Sequence, residues 1–83
     1  MNTKAETIYP TSDLYVAAWL LLNGLALDRV SRSAERRATF IFKDRADRTQ
    51  LVREFLHGSA VGNVCDFTYS LRKVKRLLYS RED

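Results

Sequence analysis

Apolar and polar positions along the chain change period several times, and each change marks an element. The run Leu14–Leu22 is apolar almost without interruption, rich in helix formers and free of glycine. Thr11, Ser12 and Asp13 precede it with N-cap side chains, and Gly24 follows as a left-handed stop. The spacing predicts a helix apolar around nearly its whole circumference, hence buried on most sides, with Trp19, Leu20, Leu21 and Leu22 as core. Leu25–Ser31 reads as a strand whose alternation through Leu25, Leu27 and Val30 breaks once. Arg32–Arg36 reads as a loop. Arg37–Lys43 alternates cleanly, with Ala38, Phe40 and Phe42 on one face and Thr39, Ile41 and Lys43 on the other. The two strands are close enough in sequence for an antiparallel hairpin, although no Asn-Gly or Asp-Gly turn marks it.

Helical spacing then returns. Leu51, Val52, Phe55 and Leu56 predict a second helix over Arg45–His57, capped by Asp44 and ended by Gly58. Ser59–Gly62 is a connector. Asn63 caps a third helix running to about Ser80, where Val64, Phe67, Leu71, Val74 and Leu78 recur at steps of three and four. The expectation is a single small α+β domain of order α-β-β-α-α over residues 11–80, an antiparallel hairpin packed against helices. Residues 1–10, polar and closed by Pro10, read as a flexible lead-in, and 81–83 as a tail.

Length sharpens this picture. In 83 residues there is room for one core and a thin stability margin. The lone Cys65 forms no internal disulfide, which fits a reducing, cytoplasmic setting. The longest apolar run is about half of what spans a bilayer. Its late position and acidic flank at Asp13 do not suit a signal peptide. No membrane association is expected.

Net charge is +4 with a pI near 9.6, and its distribution matters more than its sum. Residues 1–28 carry only Lys4 against Glu6, Asp13 and Asp28. Residues 29–53 hold eight basic side chains against three acids, and residues 67–81 hold five with no acid. Two basic regions thus flank a mildly acidic segment, which favours nucleic acid or an acidic protein surface as partner. A solvated surface in an arginine-rich chain is the competing reading of the same charges.

Catalytic chemistry finds little to work with. His57 and Cys65 are the only soft ligands where zinc wants three or four, so no metal or other cofactor is expected. His57 in the last turn of a helix suits the helix dipole, and Cys65 lacks a second histidine to act as base. No nucleophile elbow or phosphate loop is present, and the three glycines read as caps and turns. The expectation is a non-enzyme with no catalytic residues and no small-molecule substrate.

The third helix carries the clearest binding pattern. Tyr69, Arg72, Arg76 and Tyr79 form a stripe at steps of three, four and three, beside the apolar one and flanked by Lys73 and Lys75. Guanidinium groups bind phosphate bidentately, and tyrosine rings stack on bases or sugars. The competing reading is a solvated face whose cations complement the helix C-terminus and snorkel over the core. Arg29, Arg32, Arg36 and Arg37 around the hairpin loop form a second basic region, which strengthens a polyanion site only if it shares a face with the first. Arg36 and Arg37 would equally serve as charges guarding a strand edge.

The phrases TSDLYVAAWLLLNG, FIFKD, VREFLHGSAVGN and FTYSLRKVKRLLY resemble a family of small bacterial and phage- or plasmid-encoded proteins catalogued as a domain of unknown function. The shared positions are Thr11–Asp13, Ala17–Ala18, Gly24, Phe40, Phe42, Gly58, Asn63, Phe67, Leu71–Arg72, Lys75 and Leu78–Tyr79. Where the family pattern has a proline after the asparagine, this chain has Val64, implying a less rigid connector. The resemblance implies a compact domain and a mobile-element setting. It supplies no reaction and no site.

The sequence therefore supports two functions. The first is a nucleic-acid-binding or accessory protein presenting the third helix and Arg29–Arg37 to phosphate. The alternative is a protein–protein module, an adaptor, inhibitor or homodimer, using the apolar first helix and the aromatics Tyr15, Trp19 and Tyr69.

Overall fold

The cleanly alternating segment of the chain becomes the middle of its sheet. In the computed structural model, which describes residues 7–33, 35 and 37–79, β3 (Ala38–Lys43) lies between β1 (Ile8–Thr11) and β2 (Leu27–Arg32), both antiparallel to it. The helices are α1 (Leu14–Leu22), α2 (Arg48–Leu56) and α3 (Val64–Tyr79). The fold is α+β, and the hairpin and three helices follow one another in the expected order.

Strand β1 is the addition. Its segment reads as lead-in because Pro10 lacks a ladder donor. Yet β1 is an edge strand, where a proline is tolerated, and Tyr9 and Thr11 fall opposite Phe42 and Phe40. The irregular strand also has a physical cause. A register shift between Leu27 and Arg29 leaves Asp28 as an extra residue, so Leu27 and Val30 both lie on the face of Phe42 and Phe40. The strand starts at Leu27, two residues later than the pattern predicts, because Leu25 belongs to the closure of α1.

That closure is complete. The Asp13 carboxylate accepts from the Tyr15 and Val16 amides at the start of α1. At its end Gly24 adopts φ +88°, so the Gly24 and Leu25 amides donate to the Leu21 and Leu20 carbonyls. Gly58, at φ +79°, closes α2 in the same way through the Phe55 and Glu54 carbonyls. Asn63 accepts from the Asp66 amide at the start of α3. Each of these stops and caps is placed where local sequence puts it.

Helix α1 is the centre of the core. Val16, Ala17, Ala18, Trp19 and Leu20 are all buried, with the sheet residues Phe40 and Phe42, Leu25 and α3's Val74 around them. Helix α2 is peripheral, and none of its residues is fully buried. It is attached through aromatics: Trp19 stacks on Phe55 at 5.7 Å between ring centroids, and Phe55 meets Phe67 of α3 at 6.0 Å. The Trp19 indole also donates to the Leu51 carbonyl at 2.9 Å.

Helix α2 begins at Arg48, three residues later than expected, and Asp44 is not its cap. The Asp44 carboxylate instead pairs with Arg48 at 3.0 Å, and the Arg48 guanidinium lies 4.1 Å over the Tyr9 ring. Asp47 pairs with Arg45, whose other nitrogen donates to the Asn23 carbonyl. The acids of this turn are committed to arginines, and the chain between β3 and α2 is a pinned turn. This polar clasp ties β1 to α2 and is invisible to periodicity.

Candidate nucleic-acid interface

Helix α3 sets the geometry of the basic stripe. Ser70 and Val74 are buried, and Phe67, Leu71 and Leu78 are half-buried against α1 and the sheet. At 3.6 residues per turn, Arg72 and Arg76 lie roughly 160° from Val74, with Tyr69 and Tyr79 about 140° from it on the two sides. The stripe expected beside the apolar face is therefore opposite it, pointing away from the core. Val64 is also corrected: at the helix's first position it is 78% exposed and does not join the buried stripe.

Tyr69, Arg72, Lys73, Lys75, Arg76 and Tyr79 are all exposed. Lys73 places its ammonium 5.5 Å over the Tyr69 ring. Among the described residues, no carboxylate comes within ion-pair distance of Arg72, Lys73, Lys75 or Arg76. Elsewhere acids sit beside bases, as in the pairs Arg29–Asp28, Arg45–Asp47 and Arg48–Asp44. The α3 face thus gathers four cations without a carboxylate beside them among the described residues, with two tyrosines about 15 Å apart along it.

The second basic region is split. Arg29 lies opposite Ile41, on the face of the sheet away from the helices, and is paired with Asp28. Arg32 lies opposite Ala38 on the helix side, and its guanidinium donates to the Leu77 carbonyl at 2.9 Å. Arg37 is exposed just before β3; its carbonyl accepts from the Ser33 amide and its amide donates to the Ser33 hydroxyl. Arg32, through the Leu77 carbonyl, and Arg37, which lines a hollow with Leu78, thereby stand near the C-terminal end of α3, whereas Arg29 does not. Arg36 lies outside the described residues.

Sequence reasoning missed a concavity at this same end. Ser12, Leu14, Arg37, Ala38, Phe40 and Leu78 line a hollow of about 420 Å³. Three segments distant in the chain build it, so no local pattern could announce it. A second hollow of about 300 Å³ lies around Thr7, Asp44, Arg45 and Arg48. Its charges neutralise one another: the Arg48 hydrogen bond holds the Asp44 carboxyl below its ordinary range, and Arg45 does the same to Asp47.

Cys65 is exposed, and among the described residues no three His, Cys, Asp or Glu side chains converge in a way that could hold a metal. No helix among them is long and apolar enough to cross a membrane.

A family model described as a domain of unknown function, DUF5659, matches residues 6–80. The chain belongs to this family. The match takes in β1 as well as every later element, so DUF5659 corresponds to the whole sheet and its three helices. No curated protein and no solved structure matches the chain.

Proposed function

We propose that this DUF5659 protein is a non-enzymatic nucleic-acid-binding protein whose contact surface is the outer face of α3. The observation that carries the reading is the row Tyr69, Arg72, Arg76 and Tyr79: cations without carboxylate partners among the described residues, flanked by exposed rings, on the side of the helix the core does not need. Cations at a helix C-terminus would be satisfied by the dipole alone, but the dipole does not ask for tyrosines beside them. A phosphate chain does use both. Arg32 and Arg37 lie near the C-terminal end of the helix, on its sheet side. The lone cysteine fits a cytoplasmic site of action.

Fluorescence anisotropy with labelled DNA and RNA, at low and near-physiological salt, tests this. Binding that persists near physiological salt, with log K falling linearly against log salt, is the expected result. Absence of binding at low salt would refute it.

A second reading has its own support. Leu56, Val61 and Val64 are 63%, 89% and 78% exposed around the connector from α2 to α3, an apolar surface that a protein partner or a second copy could cover. Trp19 no longer contributes to this alternative, since it is 6% exposed and packed inside, whereas Tyr15 and Tyr69 are exposed. Sedimentation over a concentration series distinguishes a self-associating chain from a monomer.

A further inference from the structure

Helix α3 stands on the fold as a ridge. Ser70 and Val74 are buried and Phe67, Leu71 and Leu78 half-buried, together an arc of roughly 100° around the helix. Every other residue from Val64 to Tyr79 is exposed, so an arc of roughly 220° faces away from the core. On that arc the basic and aromatic side chains fall into two banks about the line opposite Val74. Arg72, Lys75 and Tyr79 lie at roughly 160°, 100° and 140° from Val74 on one side, and Arg76, Lys73 and Tyr69 at the same angles on the other. Each bank holds one arginine, one lysine and one tyrosine. Within the second bank the Lys73 ammonium lies 5.5 Å over the Tyr69 ring. Asp66, the acid of this helix, is in its first turn, roughly 10 Å of rise away from Lys73.

We infer that α3 lies along the major groove of duplex DNA, with one bank on the phosphates of each strand. The inference rests on the reading of α3 as a nucleic-acid-binding surface and specifies its ligand. Charge complementarity argues the occupant. A helix with its side chains is about 10–12 Å across, which matches the major groove of B-DNA, about 12 Å wide, and exceeds the minor groove, about 6 Å. A helix seated there has a phosphate row on either side, as α3 has a bank on either side. Lys73 and Lys75 are roughly 160° apart around the axis and so face opposite rows. A single strand offers one row and leaves one of these lysines unused. Duplex RNA has two rows, but its major groove is too deep and narrow for side chains to read. Seating a helix in a groove needs it open well past half its circumference, which the exposed arc provides. The tyrosine hydroxyls add a phosphate donor to each bank.

The test uses the full chain with a short labelled DNA duplex, one of its separated strands, and the RNA duplex of the same sequence. Near physiological salt the DNA duplex is expected to bind about tenfold more tightly than either of the others. Arg72/Lys75→Gln and Lys73/Arg76→Gln each empty one bank, and each is expected to reduce the salt slope on duplex DNA by roughly 2. The wild-type chain should also protect guanine N7, in the major groove, from methylation by dimethyl sulfate and leave adenine N3, in the minor groove, reactive. A single strand or RNA duplex bound as tightly as the DNA duplex would overturn the inference while the α3 interface stands. So would a slope that falls for one pair of substitutions and not the other, or protection of adenine N3 in place of guanine N7. Binding to none of the three nucleic acids would bring down both.

Discussion

The Arg32 guanidinium donates to the Leu77 carbonyl at 2.9 Å, joining the last residue of β2 to the last turn of α3 across 45 positions of sequence. A helix end has carbonyls without intrahelical partners, and a cation there is favoured by both hydrogen bonding and the dipole. This contact fixes Arg32 at the C-terminal end of the basic helix. Arg32→Ala should cost about 1 kcal/mol of stability, and amide exchange in the final turn of α3 should accelerate. Unchanged exchange there would show that Arg32 does not hold the helix end.

The outer α3 face is separable from the core. Arg72/Arg76→Gln should reduce the salt slope of nucleic-acid binding by roughly 2, and Arg72/Arg76→Glu should abolish binding near physiological salt. Both variants should melt close to wild type, because neither side chain packs inward. Retained affinity in the folded Glu variant would remove α3 from the interface.

The clasp at the start of α2 gives a pH dependence with a definite sign. The Arg48 hydrogen bond lowers the Asp44 carboxyl below its ordinary range, aided by the Arg45 amide and the Arg48 charge, while burial opposes it. A carboxyl lowered by folding stabilises the fold above its unfolded pKa of about 3.9, and the contribution disappears as pH falls through the folded value. Asp44→Asn should therefore cost about 1 kcal/mol at neutral pH and progressively less below about pH 4. Urea unfolding of both proteins at several pH values measures this, and a gap that widened in acid would contradict it.

Trp19 anchors α2 by its ring and its indole N–H together. Trp19→Phe keeps most of the stacking on Phe55 but leaves the Leu51 carbonyl without its donor. The expected loss is about 1–2 kcal/mol, with faster exchange across α2 than across β3.

Gly58 isolates a backbone effect. Nothing lies within 4 Å of where its Cβ would stand, yet its φ is +79°. Gly58→Ala should cost about 1 kcal/mol from conformation alone, and Gly58→Asn distinctly less, as chemical denaturation would show. Equal costs would mean that something other than the left-handed angle penalises the side chain.

Much of the architecture is legible in residue order because its causes are local. Asp13, Gly24, Gly58 and Asn63 act on amides and carbonyls within a few positions of themselves. The all-round apolar character of Leu14–Leu22 requires burial wherever the helix goes, and the alternation of Ala38–Lys43 requires a strand. The acid-free, tyrosine-bearing row on α3 is equally a matter of spacing along one helix.

What residue order does not contain is set by partners far away in the chain. Pro10 reads as a breaker until β3 pairs beside it and makes its strand an edge. Asp44 reads as a cap until Arg48, its guanidinium over the Tyr9 ring, offers the carboxylate a better partner. Arg29 and Arg32 read as one loop-side patch until β2 runs through both and its alternation, three positions apart, puts them on opposite faces. The hollow between Leu14, Phe40 and Leu78 exists only once three segments have packed. Composition, caps and periods are properties of short stretches and survive any fold, whereas sheet order, face and cavity depend on which distant side chains meet. Only the tertiary structure decides that.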